Sequence, residues 1–407
     1  MSRAIVVTGL GTVGSFGCGA DSLREALAAS VPRTSEIDRS AGYHLSESSR
    51  RACLVSYPQL AAWVPPLEAR RMSPPSKLAV AAARMALCCA GFEAKPEESE
   101  TAVVISTSFG PSSYSEGLLK QILFEGPEAT SPSLFTESVA NAPAAQIAIT
   151  TRSRGPSLTV CQHEAGPLLA VERAAAAVLS GRSPRALAGA VEEMTPLLHA
   201  LLDRFGALAR GGEEEGEETA RPFDRRRSGF LAGEGSTVLV LEPEEAARER
   251  GARVLARLLA WGSAFDPTAP PADWGTGHAT LARALRRSLD RAGIALAEID
   301  RIVSGASGSR TGDRLEARML RAAWGEAPLP PVVAPKAVIG EYGGGILGPA
   351  VLAAAGAPFG PTPGFAEPDP ELGVVPHDGR PLEAPKTVLV TSLAAGGAAA
   401  WLVLGKP

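Results

Sequence analysis

The chain has 407 residues, too many for one simple core and enough for two or three domain-sized units. Its 45% apolar and 21% charged residues are those of a globular protein, and a formal net charge of −4 excludes a broad basic surface for nucleic acid or anionic membrane. The densest basic cluster is Arg225, Arg226 and Arg227, and three adjacent arginines read as a local salt-bridge site.

In chain order, strand and helix patterns alternate. "AIVVTGL" reads as a buried strand and "ADSLREALAAS" as a helix. "PSKLAVAAARMALCCAG" is a second helix, stopped at Gly91, and "TAVVIST" a second buried strand. "TVCQHEAGPLLAVERAAAAV", Thr159 to Val178, combines the end of a strand, a tight turn and an apolar helix over Ala165–Ser180. "ALAGAVEE" and "STVLVLEP" are further strands, the latter followed by the helix "EEAARERGA". In the second half come the amphipathic helix "HATLARALRRSLDRAGI" and the strand "IDRIVSGA". "PKTVLVTSLAAGGAAAWLVLGK" closes the chain with two strands around a glycine turn. Two segments read as loops: "RGGEEEGEETARPFDRRRSGF", whose acidic first part is expected on the surface, and the Pro-rich stretch between Gly356 and Pro385. Such alternation predicts an α/β fold with mixed sheets, divided at about residue 250 into segments 1–250 and 251–407.

The opening residues run straight into a strand with no secretory pattern, and no segment reaches the roughly 18 apolar residues of a membrane helix. Five cysteines (Cys18, Cys53, Cys88, Cys89, Cys161) show no disulfide or zinc spacing, so reduced thiols, no metal site and a cytoplasmic location are expected. Heavy use of Ala, Arg, Gly and Pro suggests a GC-rich bacterial genome. "GLGTVG", Gly9 to Gly14, imitates a dinucleotide-binding turn. The acidic partner that turn requires would be Glu36 or Asp38, but "SVPRTSEIDRS" is no buried strand. A glycine turn packed between strand and helix is the better reading.

Cys161 with His163 poses the question of a cysteine nucleophile on the Thr159–Val178 turn. Longer stretches answer it. "RAIVVTGLGTVGSFG", "NAPAAQIAITTRSRGPSLTV", "RPFDRRRSGFLAGEGSTVLVLEPEEAARERGARVLARLLAWG", "EPDPELGVVP" and "TSLAAGGAAAWLVL" together resemble, in order, the β-ketoacyl-acyl carrier protein synthases. The resemblance spans essentially the whole chain. It implies a thiolase-like fold, two related α/β halves in a five-layered αβαβα arrangement, working as a dimer. It also implies a cysteine that attacks a thioester at a helix N-terminus, where the dipole favours thiolate. Two histidines would stabilise the enolate formed on decarboxylation of malonyl-carrier protein.

Residue by residue, those groups are absent. The family turn V-S-T-A-C-A-S-G aligns on "VCQHEAGP", placing Glu164 at the nucleophile and Cys161 three residues early. The first histidine falls on Gly305, or on Ser304 with a one-residue gap, although the following Asp313 and Glu316 are kept. The second falls on Glu341, although Lys336 and Gly340 before it are kept. Leu393 and Ala395 replace the aromatics of the terminal gate. The five histidines, His44, His163, His199, His278 and His377, fill neither position. Cys161 is therefore expected to be a packing residue and His163 to be hydrogen-bonded locally. Glu164 is suited to a helix N-terminus, where it would pair with an arginine or fill the acyl pocket.

Among the synthases, the resemblance is to chain-length factors of type II polyketide synthases, whose turn often reads A-E-Q-A-G-G; here Ala165 and Gly166 match and glutamate replaces glutamine. This implies a subunit without condensing activity of its own. It would pair with an active ketosynthase and wall a tunnel for a chain carried on the phosphopantetheine of an acyl carrier protein, with no cofactor bound. Phe109, Ser112, Ser113, Glu116 and Phe135 are the tunnel candidates, and Asn141 is a further retained position. An alternative has Tyr114, Leu118, Leu119 and Ile122 simply pack a helix at the subunit contact. Two other functions stay open: a malonyl-decarboxylating enzyme, and a homodimeric protein that binds acyl chains or carrier protein.

Overall fold

The computed structural model describes residues 4–94, 97–211 and 218–407. The acidic part of the expected surface loop, residues 212–217, lies outside the described residues.

An 11-stranded sheet carries the fold. Its first half is built from β1 (Ile5–Gly14), β2 (Ala102–Ser106), β3 (Ser157–Val160), β4 (Ala186–Glu192) and β5 (Gly235–Pro243). The second half uses β6 (Ala256–Phe265), β7 (Arg301–Val303), β8 (Val332–Val333), β9 (Thr387–Leu393) and β10 (Ala398–Gly405). Across the sheet the order is β8-β7-β9-β10-β6-β1-β5-β4-β2-β3, and the eleventh strand, the two residues Gly17–Cys18, pairs back onto the end of β1. Outward from β1, the next two pairings are antiparallel and the last two parallel. Outward from β6 the same sequence of pairings recurs. The halves thus share one topology although they share no visible sequence repeat. A short antiparallel register, Ile5 opposite Leu258 to Val7 opposite Ala256, joins them.

Period-two alternation along the strands separates the layers. Leu239 and Leu241 face one cluster, and Val238 and Val240 another. Val388 and Val390 share the cluster of Leu239, while Leu389 faces a third. The shared cluster holds α1 (Ala20–Ala29), α5 (Gly166–Leu179) and α8 (Leu347–Ala354), packed between the two halves of the sheet. The outer face of the first half is covered by α2 (Pro74–Cys89), with α4 (Ala142–Thr150) against it. On the second half, α6 (His278–Ala292) and α7 (Arg310–Trp324) form the outer layer. Helix, sheet, helix, sheet, helix is the expected five-layered arrangement. A further helix, α3 (Ser112–Phe124), lies apart from these layers and has no fully buried residue.

The strands and helices expected from the sequence are present, and the Pro-rich stretch between Gly356 and Pro385 forms no helix or strand. Helix α2 stops before Gly91, whose φ of 81° suits glycine alone. One expectation is corrected. Gly9 and Gly11 form no turn but lie within β1 under α2. A side chain at either would run into the carbonyl oxygens of Ala86 and Ala82 respectively. The glycines are there for strand–helix contact, which closes the nucleotide reading. Strand β6 and helix α8 escaped the sequence patterns. Strand β6 mixes Arg257 and Ser263 with Leu259, Trp261 and Phe265 on its less buried face, and every residue of α8 is buried, leaving no helical period to read.

Candidate functional site

Glu164 sits in a short 3-10 turn, His163–Ala165, between β3 and α5. The Ser392 hydroxyl donates to its carbonyl at 2.6 Å, so the second half of the fold holds the turn of the first. Its carboxyl lines a cavity of about 380 Å³, together with Glu341, Phe109, Phe230 and Trp274. Burial raises the Glu164 pKa; the Lys336 charge and the N–H groups of Glu164 and Ala395 offset part of that. Glu164 Oε2 is buried and accepts no hydrogen bond among the described residues.

Lys336 opens a short helix, Lys336–Ile339, which ends at Gly340 with φ 82°. The turn delivers Glu341 into the cavity. Its backbone is fixed by Glu341 N donating to Leu231 O at 2.8 Å and Gly233 N donating to Glu341 O at 3.0 Å. Lys336 Nζ lies 2.8 Å from Glu341 Oε2, with the lysine side chain wholly buried and that of Glu341 8% exposed. Burial raises the Glu341 pKa, the lysine lowers it, and the Glu164 charge raises it again. Glu164 and Glu341, expected at the nucleophile and second-histidine positions, are thus two carboxyl groups that interact with each other and share one lysine.

At the first-histidine position the obstacle is backbone. A Cβ on Gly305 would lie 2.8 Å from Thr391 O and 3.0 Å from Ser392 Cα. Strand β9 passes too close for a side chain here. The supports behind this position survive. Asp313 accepts from the backbone N–H groups of Phe223, Ser307 and Gly308 at 3.0 to 3.2 Å, and burial pushes its pKa up to about 7. Glu316 Oε1 accepts from Ser304 Oγ at 2.8 Å, Gly305 N at 3.2 Å and Thr391 Oγ1 at 2.6 Å. Ser304, the alternative histidine position, is thus engaged with Glu316.

Cys161 is not the packing residue expected: it is exposed, because β3 ends at Val160 on the rim of the sheet. Burial and the Glu192 charge raise its pKa, the reverse of an activated thiol. His163, at φ 39°, meets the Phe109 ring at 5.9 Å between centroids. Of the pairing and filling roles expected of Glu164, it lines the cavity without filling it, and its charge partner is a lysine, not an arginine. Arg225, Arg226 and Arg227 do form local ion pairs, with Glu367, Asp224 and Asp369.

The structure disperses the tunnel candidates. Phe109 lines the cavity. Ser112 and Ser113 donate to Glu193, and Glu116 pairs with Lys120 at 2.6 Å. Phe135 is 57% exposed, away from the cavity lining. Asn141 stands at the N-cap of α4. Sequence reasoning missed Glu192, which lines the cavity and accepts from Ser108 N, Phe109 N and Thr107 Oγ1. Its only signal was an acidic residue ending a buried strand, "ALAGAVE". No helix among the described residues is long and apolar enough to cross a membrane, and none of their His, Cys, Asp and Glu groups could hold a metal ion.

The five layers, the duplicated sheet and the turn before α5 define the scaffold as the thiolase-like ketosynthase fold. Residues 2–247 match the β-ketoacyl synthase N-terminal domain and residues 256–354 the β-ketoacyl synthase C-terminal domain. The chain belongs to the β-ketoacyl synthase family. It is 31% identical over 410 residues to the tetracenomycin polyketide synthase ketoacyl synthase beta subunit of Streptomyces glaucescens, covering 97% of this chain and 96% of that one. The solved structure of the ishigamide ketosynthase/chain length factor is 31% identical and superposes with a TM-score of 0.89 over 100% of both chains. A β-ketoacyl synthase from Burkholderia phymatum, 24% identical with a TM-score of 0.88 over 100% of both chains, shares the fold.

Proposed function

We propose that this chain is the non-catalytic, chain-length-setting subunit of a type II polyketide synthase. It pairs with an active ketosynthase, in the cytoplasm, around a chain carried on the phosphopantetheine of an acyl carrier protein. One observation carries the reading: the positions expected for the nucleophile and both histidines hold Glu164, Gly305 and Glu341, and no cysteine is among the residues lining the cavity that Glu164 and Glu341 border. A glutamate attacking a thioester would form an anhydride with no histidine to assist, and Gly305 lacks room for one.

An unpartnered face supports the pairing. Strand β3 stands at the free edge of the sheet, offering backbone groups that a second subunit can pair. Leu158 on this strand is 45% exposed, and the end of α3 exposes Leu123 at 75% and Phe124 at 82%. Phe109 and Phe135 are exposed as well.

The test is co-expression with a ketosynthase that keeps its cysteine and two histidines, followed by size exclusion and mass analysis. A one-to-one complex is expected, with condensation lost when the partner's cysteine is replaced. In this chain, Glu164→Cys is expected to gain no condensing activity. Recovery of this chain only as a homodimer would overturn the proposal.

A further inference from the structure

Two rings stand where the cavity meets the exposed end of β3. Phe109 and His163 both line the cavity, their centroids 5.9 Å apart, and both are exposed. Phe109 belongs to the segment that follows β2. That segment starts beside the free edge of the sheet, where Thr107 N donates to Val160 O at 3.1 Å. The Phe109 ring is 44% exposed, so packing holds it only in part and its place depends on the backbone that carries it.

That backbone is held by two consecutive carboxyl groups at the end of β4. Glu192 Oε1 accepts from Ser108 N and, at 3.1 Å, from Thr107 Oγ1; Glu192 Oε2 accepts from Phe109 N at 3.3 Å. Glu193 Oε1 accepts from Ser112 Oγ at 3.2 Å and Ser113 N at 2.8 Å, which fixes the start of α3. Gly110 and Pro111 lie between the two holds. Gly110 turns the chain at φ 66°, and its N–H donates to Thr107 Oγ1 at 3.0 Å. Glu193 thus serves a helix end, whereas Glu192 serves Phe109 and the two residues before it. A buried carboxyl is unfavourable unless its oxygens are bonded, and the donors that bond Glu192 are those of the Phe109 turn.

We infer that Glu192 is a positioning residue for product length. By holding the Thr107–Phe109 backbone it keeps the Phe109 ring beside His163, and the two rings shut the growing chain out of the cavity behind them. This rests on the proposed pairing with an active ketosynthase, which supplies the chain. Glu192 touches no substrate in this scheme and acts through Phe109. A close-packed wall stops a chain; with the ring displaced, the cavity of about 380 Å³ becomes room for further two-carbon units.

The test uses the purified complex of this chain with a ketosynthase that keeps its cysteine and two histidines. The complex is supplied with malonyl-carrier protein at pH 8, and product length is read by mass spectrometry. At that pH Glu192, lifted by burial to about 7, is mainly ionised. Phe109→Ala is expected to lengthen the product by one or more two-carbon units. Glu192→Gln keeps one acceptor oxygen for Thr107 and Ser108 but turns an NH2 group towards the Phe109 N–H. It is expected to raise the proportion of longer products about fivefold, the scale of one hydrogen bond. In the Phe109→Ala background the same change is expected to add nothing, a coupling that a general loss of stability would not produce. If Glu192→Gln does not fold, Thr107→Val removes one of the three donors and reads the same hold. It too is expected to lengthen the product, and to add nothing to Phe109→Ala. Unchanged length with Phe109→Ala, unchanged length with the variants at Glu192 and Thr107, or lengthening by them that persists beside Phe109→Ala would each overturn the inference. Failure of the unaltered chain to form the complex would overturn the proposed function and this inference with it. Unchanged lengths in a complex that forms would overturn this inference alone.

Discussion

Four buried carboxyl groups share one electrostatic neighbourhood and fall into two kinds. Asp313 and Glu316 are held by backbone and hydroxyl donors from Phe223, Ser307, Gly308, Ser304, Gly305 and Thr391. Glu164 keeps an oxygen that accepts no hydrogen bond among the described residues, and Glu341 is held by side chains alone, Lys336 and Ser307. The first pair ties loops to the sheet, so the fold needs it. The second pair stands where the proposed function expects the reacting groups of a condensing enzyme, which the fold does not need. Under that proposal, loss of catalysis would leave the scaffold intact.

The sharpest way to break that comparison is Asp313→Ala. It would strand three buried N–H donors, and each stranded donor costs about 1–3 kcal/mol. A loss of at least about 3 kcal/mol is expected by urea denaturation at pH 7. Glu164→Ala, measured alongside, is expected to lose far less. Equal losses would show that both pairs are structural.

A second prediction uses pH. Burial pushes Glu192 up to about 7 despite the N–H donors of Ser108 and Phe109. In the folded chain it keeps its proton over a range where the unfolded chain has released it. Its contribution is present below the ordinary glutamate pKa of 4.5 and is lost as pH rises towards 7. His199, depressed by burial to about 4, acts in the opposite sense: its contribution is lost as pH falls. The difference between the unaltered chain and Glu192→Gln removes the histidine effect. That difference is expected to shift by about 2 kcal/mol against the unaltered chain between pH 5 and pH 8. A flat difference would show that Glu192 titrates normally.

Much of the fold was legible because its strands alternate or run apolar between glycines, and because α2 and α6 carry clear ends. Helix α7 went unread, although Leu315, Met319, Leu320 and Ala323 recur on its buried face. What could not be read was topology: the two halves pair their strands alike, yet their side chains differ, since a sheet face asks only for apolar residues of the right size. The site divides the same way. Position against a family turn placed Glu164 and Glu341 at the reacting positions. Their shared lysine, and the contribution of Glu192, depend on residues brought together from β4, β9 and the Gly340 turn. No local pattern records such convergence. Cys161 misled for a related reason, because apolar neighbours in sequence say nothing about a strand that ends at a sheet edge.

A third prediction asks whether the first-histidine position can be refilled. Gly305→Ala is expected to cost about 1–2 kcal/mol, because its Cβ must displace the β9 backbone at Thr391 and Ser392. Thermal melts against the unaltered chain would measure it. A neutral result would mean that β9 yields, and that loss of the histidine is not locked by backbone.

The smallest effect is expected at Glu164 itself. Glu164→Gln keeps the shape of the side chain and removes a group that burial disfavours as an anion. Below the pair's titration range the protonated carboxyl and the amide are near equivalents, so stability is expected to change by less than about 1 kcal/mol. Above that range the sign is set by Lys336. If the lysine is already matched by Glu341, as the 2.8 Å contact indicates, the Gln variant is the more stable above that range. Urea denaturation over a series of pH values separates the cases. Destabilisation at the alkaline end would mean that Lys336 needs both carboxylates, and the Glu164–Glu341 pair would then belong with Asp313 and Glu316 as part of the scaffold.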